Sequence, residues 1–135
     1  MGWILRRAPL PGALAVVYLI VAFIDEAVFA RTIISLPLPS DRAWTIEVRD
    51  LFLVAGLILL YLEIFKSTRT TNVEISEHTL SFLALVATLL IFLLVPKMGT
   101  SLFGLIALMC AMDVIAGFTV TISAARRSVG IERAS

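Results

Sequence analysis

Four long apolar runs fill most of the chain: Pro11 to Ala30, Leu51 to Leu62 with Ile64 and Phe65 beyond it, Leu80 to Val95, and Leu102 to Ala125. Hydrocarbon offers no water to bond backbone N–H and C=O groups, so only helices and closed barrels cross it. These runs lack the alternation of a barrel strand, which leaves helix. Composition agrees. Sixty per cent of the residues are hydrophobic, against about 45–50% in soluble domains. The 135 residues suit one domain. The expected fold is all-α: a polytopic membrane protein, a single domain over 1–135, folded as an antiparallel bundle of four transmembrane helices at about 11–31, 43–66, 74–95 and 100–125.

The connections are short. Arg31 to Trp44 contains Pro37 and Pro39 and is expected to be an extended crossing loop, with Ser40 or Asp41 capping the second helix. Thr71-Asn72-Val73-Glu74 fits a capping box for the third helix. Pro96 stops that helix, and Pro96 to Thr100 makes a tight turn into the fourth.

Orientation follows from counting Lys and Arg near the ends of the spans. With the amino terminus inside, seven basic residues lie on the inner side (Arg6, Arg7, Lys66, Arg69, Arg126, Arg127, Arg133) and four on the outer side (Arg31, Arg42, Arg49, Lys97). Both termini are therefore expected on the cytoplasmic side. Trp3 and Trp44 fall near opposite interfaces, where tryptophan collects. The first run has a second reading. Arg6-Arg7, the twelve-residue core Ala13 to Ile24, and Val28-Phe29-Ala30 have the three regions of a cleavable signal peptide. A retained span and a cleaved signal both remain open here.

Asp113, near the middle of the last run, is the costliest side chain in the chain. An ionisable group at bilayer centre costs about 2.5–3.5 kcal/mol on insertion scales. Cys110, Asp113 and Gly117 share one helix face at i, i+3 and i+4 spacing. Ala107-x-x-x-Ala111 and Asp113-x-x-x-Gly117 place small residues where another helix can approach. Asp113 is therefore expected to face the bundle, neutral and hydrogen-bonded, at the depth of Thr88 and roughly that of Tyr18. Asp113, Thr88, Tyr18 and Cys110 form the candidate intramembrane polar site. Its plain reading is a polar contact that joins helices; its functional reading is a proton or cation site.

Asp25 and Glu26 lie at the outer end of the first run, at a depth similar to Arg49. An ion pair from either carboxylate to Arg49 is expected, since it offsets part of the desolvation of both partners. Glu63 sits three residues before Lys66, an interfacial i,i+3 pair. Glu74 and His78 have metal-compatible i,i+4 spacing, but the chain has one histidine, and acidic residues also suit a helix amino terminus.

No metal or cofactor is expected. There is no glycine-rich phosphate loop and no histidine near a nucleophile at membrane depth. Cys110 is a lone cysteine, and a net charge of +1 points to no nucleic acid.

Leu59-Leu60-Tyr61-Leu62-Glu63, His78 at the head of the third helix, and a helix ending Val95-Pro96-Lys97 resemble the phosphate-starvation-inducible E family of small four-helix bacterial inner-membrane proteins. The resemblance spans roughly residues 50 to 120. It implies a stress-linked membrane protein and marks Glu63 and His78 as weak candidate residues.

The function expected is non-enzymatic: an accessory, assembly or stress-linked component that associates with itself or with a larger membrane complex in the lipid bilayer. The alternative is a small proton-coupled transporter or channel, working as an oligomer around Asp113. Reporter fusions after Ser135 and within the Pro37–Pro39 segment are expected to report opposite sides of the membrane. A periplasmic carboxyl terminus contradicts the topology.

Overall fold

The computed structural model describes residues 8–69 and 75–134. The expected capping box at Thr71–Glu74, with Glu74 of the Glu74–His78 pair, and Trp3, Arg6 and Arg7 lie outside the described residues.

Among the described residues the protein is mostly helical. Helix α1 runs Leu10–Asp25 and passes into a 3-10 helix, Glu26–Ala30. A β-hairpin follows, β1 Thr32–Pro37 and β2 Ala43–Glu47, then α2 Val48–Arg69, α3 Ile75–Leu94, a 3-10 turn Pro96–Met98, and α4 Ser101–Ala134. Leu10–Ala30 and Ser101–Ala134 are long and apolar enough to cross a membrane. His78–Leu94 is apolar but shorter. Its 17 residues rise about 25 Å at 1.5 Å each, just under a typical 30 Å hydrocarbon core.

Local chemistry sets the boundaries. Pro9 and Pro11 flank the start of α1, where a missing N–H costs nothing. Asp25 leaves the helical region at φ −158°. Its carboxylate accepts from the Ala27 amide at 3.0 Å, a local bond that competes with the helix ladder and starts the tighter 3-10 turn.

The hairpin corrects the expected crossing loop. Thr32-Ile33-Ile34 and Trp44-Thr45-Ile46 are β-branched or aromatic, the types that suit a pleated ribbon. β1 and β2 pair antiparallel, from Thr32 opposite Glu47 to Pro37 opposite Ala43, with an irregularity between Thr32 and Ile34. Pro37 ends β1, where its missing donor is tolerated. The Leu38 amide donates to the Arg42 carbonyl at 2.8 Å, and Asp41 takes a left-handed φ of 59° at the tip. The prolines thus shape a turn.

Neither Ser40 nor Asp41 caps the next helix. β2 leads directly into α2, five residues later than the expected start at 43, because Ala43–Glu47 is strand. The Glu47 amide donates to the Asp50 carboxylate at 2.8 Å, a carboxylate in the first turn of α2 reaching back over the junction. The last helix is also longer than expected. It continues through Arg126 and Arg127 to Ala134.

The core gathers on α4, whose buried stripe includes Phe103, Ile106, Ala107, Cys110, Asp113 and Gly117. At the hairpin end, Tyr18 stacks between Phe29 (centroids 4.6 Å apart) and Phe103 (5.1 Å), with Phe52 edge-on to both Tyr18 and Phe29. Four elements meet there. Midway along, Gly56 lets α2 approach α1 and α4. A Cβ at that position would lie 2.5 Å from Met109 Sδ and 3.0 Å from Leu14 Cδ2. Gly56→Leu is therefore expected to destabilise the bundle by about 1–3 kcal/mol, the scale of overpacking in a filled core. Thermal unfolding in detergent checks this; an unchanged melting temperature contradicts the close crossing.

Candidate functional site

Polar side chains are buried at two depths. The first group lies between α3, α4 and α2. Asp113 is 5% exposed, Glu63 7% and Thr88 5%. The Ser81 hydroxyl on α3 lies within hydrogen-bonding reach of the Asp113 carboxyl, and Glu63 and Lys66 lie near enough to act on it electrostatically. Thr88 donates its hydroxyl to the Ala84 carbonyl at 2.7 Å. The Cys110 thiol, one turn from Asp113 on α4, lies beside that hydroxyl.

Glu63 has a structural task. Its carboxylate accepts from the Leu10 amide at 3.5 Å and from Lys66 Nζ at 3.5 Å. Leu10 opens α1, so its amide has no partner within that helix. A negative charge at that point also faces the positive end of the α1 dipole. The Glu63–Lys66 pair is present as the sequence suggests, and Glu63 is buried because α1 starts against it.

His78 sits one turn beyond Ser81, toward the start of α3. Its ring stacks on Phe118 at 5.8 Å and packs against Gly117, where any Cβ would meet the ring at 2.8 Å. Thr121 donates its hydroxyl to the Gly117 carbonyl at 2.9 Å. The same hydroxyl lies 2.9 Å from His78 Nε2. His78 thus joins α3 to α4.

Tyr18 belongs elsewhere. Its hydroxyl hydrogen-bonds Thr100 Oγ1 at 2.7 Å, at the hairpin end, and Thr100 Oγ1 also accepts from the Phe103 amide at 3.2 Å. Tyr18 thus closes the start of α4. It does not share a site with Asp113, because α1 and α4 run antiparallel and bring residue 18 to residues 100–103.

The expected Asp25 or Glu26 pair with Arg49 is replaced by two local pairs. Arg31 donates to Asp25 at 3.0 Å, and Arg49 pairs with Glu47. Sequence-near partners win because the 3-10 helix turns Asp25 toward Arg31, and the β2–α2 junction sets Glu47 beside Arg49. Glu26 and Arg49 nevertheless face one cleft of about 410 Å³ at the hairpin end, whose walls also carry Lys97, Tyr18 and Phe29. A second groove, about 500 Å³ and almost wholly apolar, lies between α1 and α3 beside Gly12, Ala84 and Thr88. Asp113 lines neither.

Comparison with known proteins finds no matching family model, no matching curated protein and no matching solved structure.

Sequence reasoning singled out Asp113, Cys110 and Thr88, which the fold brings together, but not Ser81 or the approach of Glu63. Ser81 lies 32 residues from Asp113 and carries no motif. Antiparallel pairing of α3 with α4 was the available signal: it sets residues whose numbers sum to a constant opposite one another. If Ser81 and Asp113 act as one unit, Ser81→Ala and Asp113→Asn are expected to be non-additive in a double-mutant cycle, with a coupling of about 0.6–1.7 kcal/mol, the range of intramembrane hydrogen bonds. Strict additivity in thermal unfolding contradicts the contact.

Proposed function

We propose that this chain is a four-span protein of the bacterial inner membrane, with both termini cytoplasmic, acting without enzymatic chemistry as an accessory, assembly or stress-linked membrane component. The observation that carries the reading is the burial of Asp113. It is 5% exposed, beside Ser81, and lines neither of the two cavities described above. A carboxyl group serving a transport path needs a wet route. One closed within a helix contact holds helices together.

The outward faces support a lipid setting. Ile24 is 80% exposed, Leu94 74% and Phe23 62%. A contiguous apolar exterior of this kind marks a membrane or protein contact. All four helices present such residues, including the shorter α3 and the more charged α2, which supports four spans. In that arrangement the hairpin lies on the outer side, with Trp44 exposed beside the interface. The basic residues near Arg126 and Arg127 continue α4 into the cytoplasm. The stress-linked part of the reading rests on the Glu63, His78 and Val95-Pro96-Lys97 resemblance.

One observation favours the second reading, a proton-coupled oligomeric transporter. Glu63 and Lys66 stand close to Asp113, so three ionisable groups gather at one depth. The two readings part on Asp113→Asn, which keeps shape and hydrogen bonding but cannot titrate. Under the structural reading Asn leaves insertion, melting temperature and oligomeric state nearly unchanged, whereas Asp113→Leu weakens helix association by about 1–2 kcal/mol. A pH-dependent flux in proteoliposomes that the Asn variant loses while staying folded overturns the structural reading.

A further inference from the structure

The cleft at the hairpin end has a composition that the bundle itself does not require. It is bounded by the end of α1 and its 3-10 helix, the first turns of α2, and the start of α4. Its volume is about 410 Å³, within the range of small-molecule sites. Two cationic side chains, Arg49 and Lys97, and one carboxylate, Glu26, stand at its polar rim. All three are exposed. The floor is aromatic, from Tyr18 and Phe29, and the wall continues along α4 to Leu105, an exposed residue facing outward.

The arrangement is polar at one end and apolar at the other. Arg49 pairs with Glu47, but a guanidinium has five N–H donors and retains capacity for a second anion. Lys97, in the cleft wall, also lies over the exposed Phe23 ring at 5.4 Å. Opposed to these, Glu26 disfavours a simple anion and suits a head group that also offers a donor.

We propose that this cleft binds a phosphate-bearing amphiphile. Its phosphate lies on Arg49 and Lys97, its head-group ammonium or hydroxyl faces Glu26, and its chain lies over Phe29 and Leu105. Charge-assisted bonds to phosphate supply specificity for the head. The aromatic and leucine surface supplies the contact for the chain. A phospholipid matches both demands; a free phosphate matches only the first. The inference rests on the membrane reading above, since it places the cleft at the outer head-group level.

The test uses the full-length chain in maltoside micelles. It is titrated separately with lysophosphatidylethanolamine, inorganic phosphate and a monoacylglycerol of the same chain length, with thermal unfolding as the readout. A saturable rise in melting temperature is expected with the lysophospholipid alone. Lys97→Gln is expected to weaken its apparent affinity about tenfold, as for loss of one charge-assisted bond, and Lys97→Arg to restore it. Ala30→Leu, placed in the cleft wall at an exposed position, is expected to remove the saturable rise. Lys97 and Ala30 lie outside the core, so unliganded melting temperatures close to wild type report intact folding. Equal protection by inorganic phosphate or by the monoacylglycerol overturns the proposal, as does an unchanged response in both Lys97→Gln and Ala30→Leu. Failure of the membrane reading appears separately, as release of the chain from cell membranes by an alkaline carbonate wash without detergent.

Discussion

Close packing against α4 holds the bundle together, and the sizes of its side chains make that packing possible. Its buried stripe mixes bulky residues, Phe103 and Ile106, with small ones, Ala107, Cys110, Asp113 and Gly117. Two glycines of α4 admit a side chain from α3. Gly117 receives the His78 ring, and Gly104 sits against Phe92. On the four-span reading proposed above, apolar side chains gain little by leaving one apolar surface for another, so association depends on van der Waals fit and on hydrogen bonds between helices. α4 supplies both along a single stripe.

The hydrogen bonds are placed where the fit alone would leave helices free to slide. His78 to Thr121 joins α3 to α4, with Ser81 beside Asp113 and Thr88 beside Cys110 along the same seam, while Tyr18 to Thr100 joins α1 to the head of α4. Among the described residues every buried side-chain nitrogen or oxygen has a partner. A polar group stranded in hydrocarbon would cost several kcal/mol, so such a seam tolerates few alternative registers. Glu63 extends the logic to a helix end, where its carboxylate takes the amide that opens α1.

The two ends of the bundle therefore differ in kind. Around Asp113 the polar groups are closed in by helix packing, which suits a role in assembly. At the hairpin end, charged side chains surround an open cleft with an aromatic floor, which suits recognition of something from outside. The β-hairpin contributes by its position. It delivers Arg49 to the cleft rim at the first turn of α2, a placement that an extended loop would not have held.

Much of the helical plan was legible in the sequence. Apolar run length dictates helix where water is absent, Pro96 dictates the turn into the last helix, and the spacing of Cys110, Asp113 and Gly117 dictates a shared buried face. These are local properties of the chain, and helices of this kind obey local rules. The hairpin was misread because proline in Arg31–Trp44 outweighed the β-branched residues on either side, and strand pairing links residues up to 15 apart. The end of α4 was misread because hydropathy marks where the apolar run stops, whereas the helix, having no proline after Ser101, continues past it to Ala134. Partner identity was not legible. Ser81 as the neighbour of Asp113, Arg31 rather than Arg49 as the partner of Asp25, and Thr100 as the partner of Tyr18 depend on the offset between packed helices and on turns between them. That offset is set by where glycine and aromatic side chains interlock in three dimensions, and only the tertiary structure decides it.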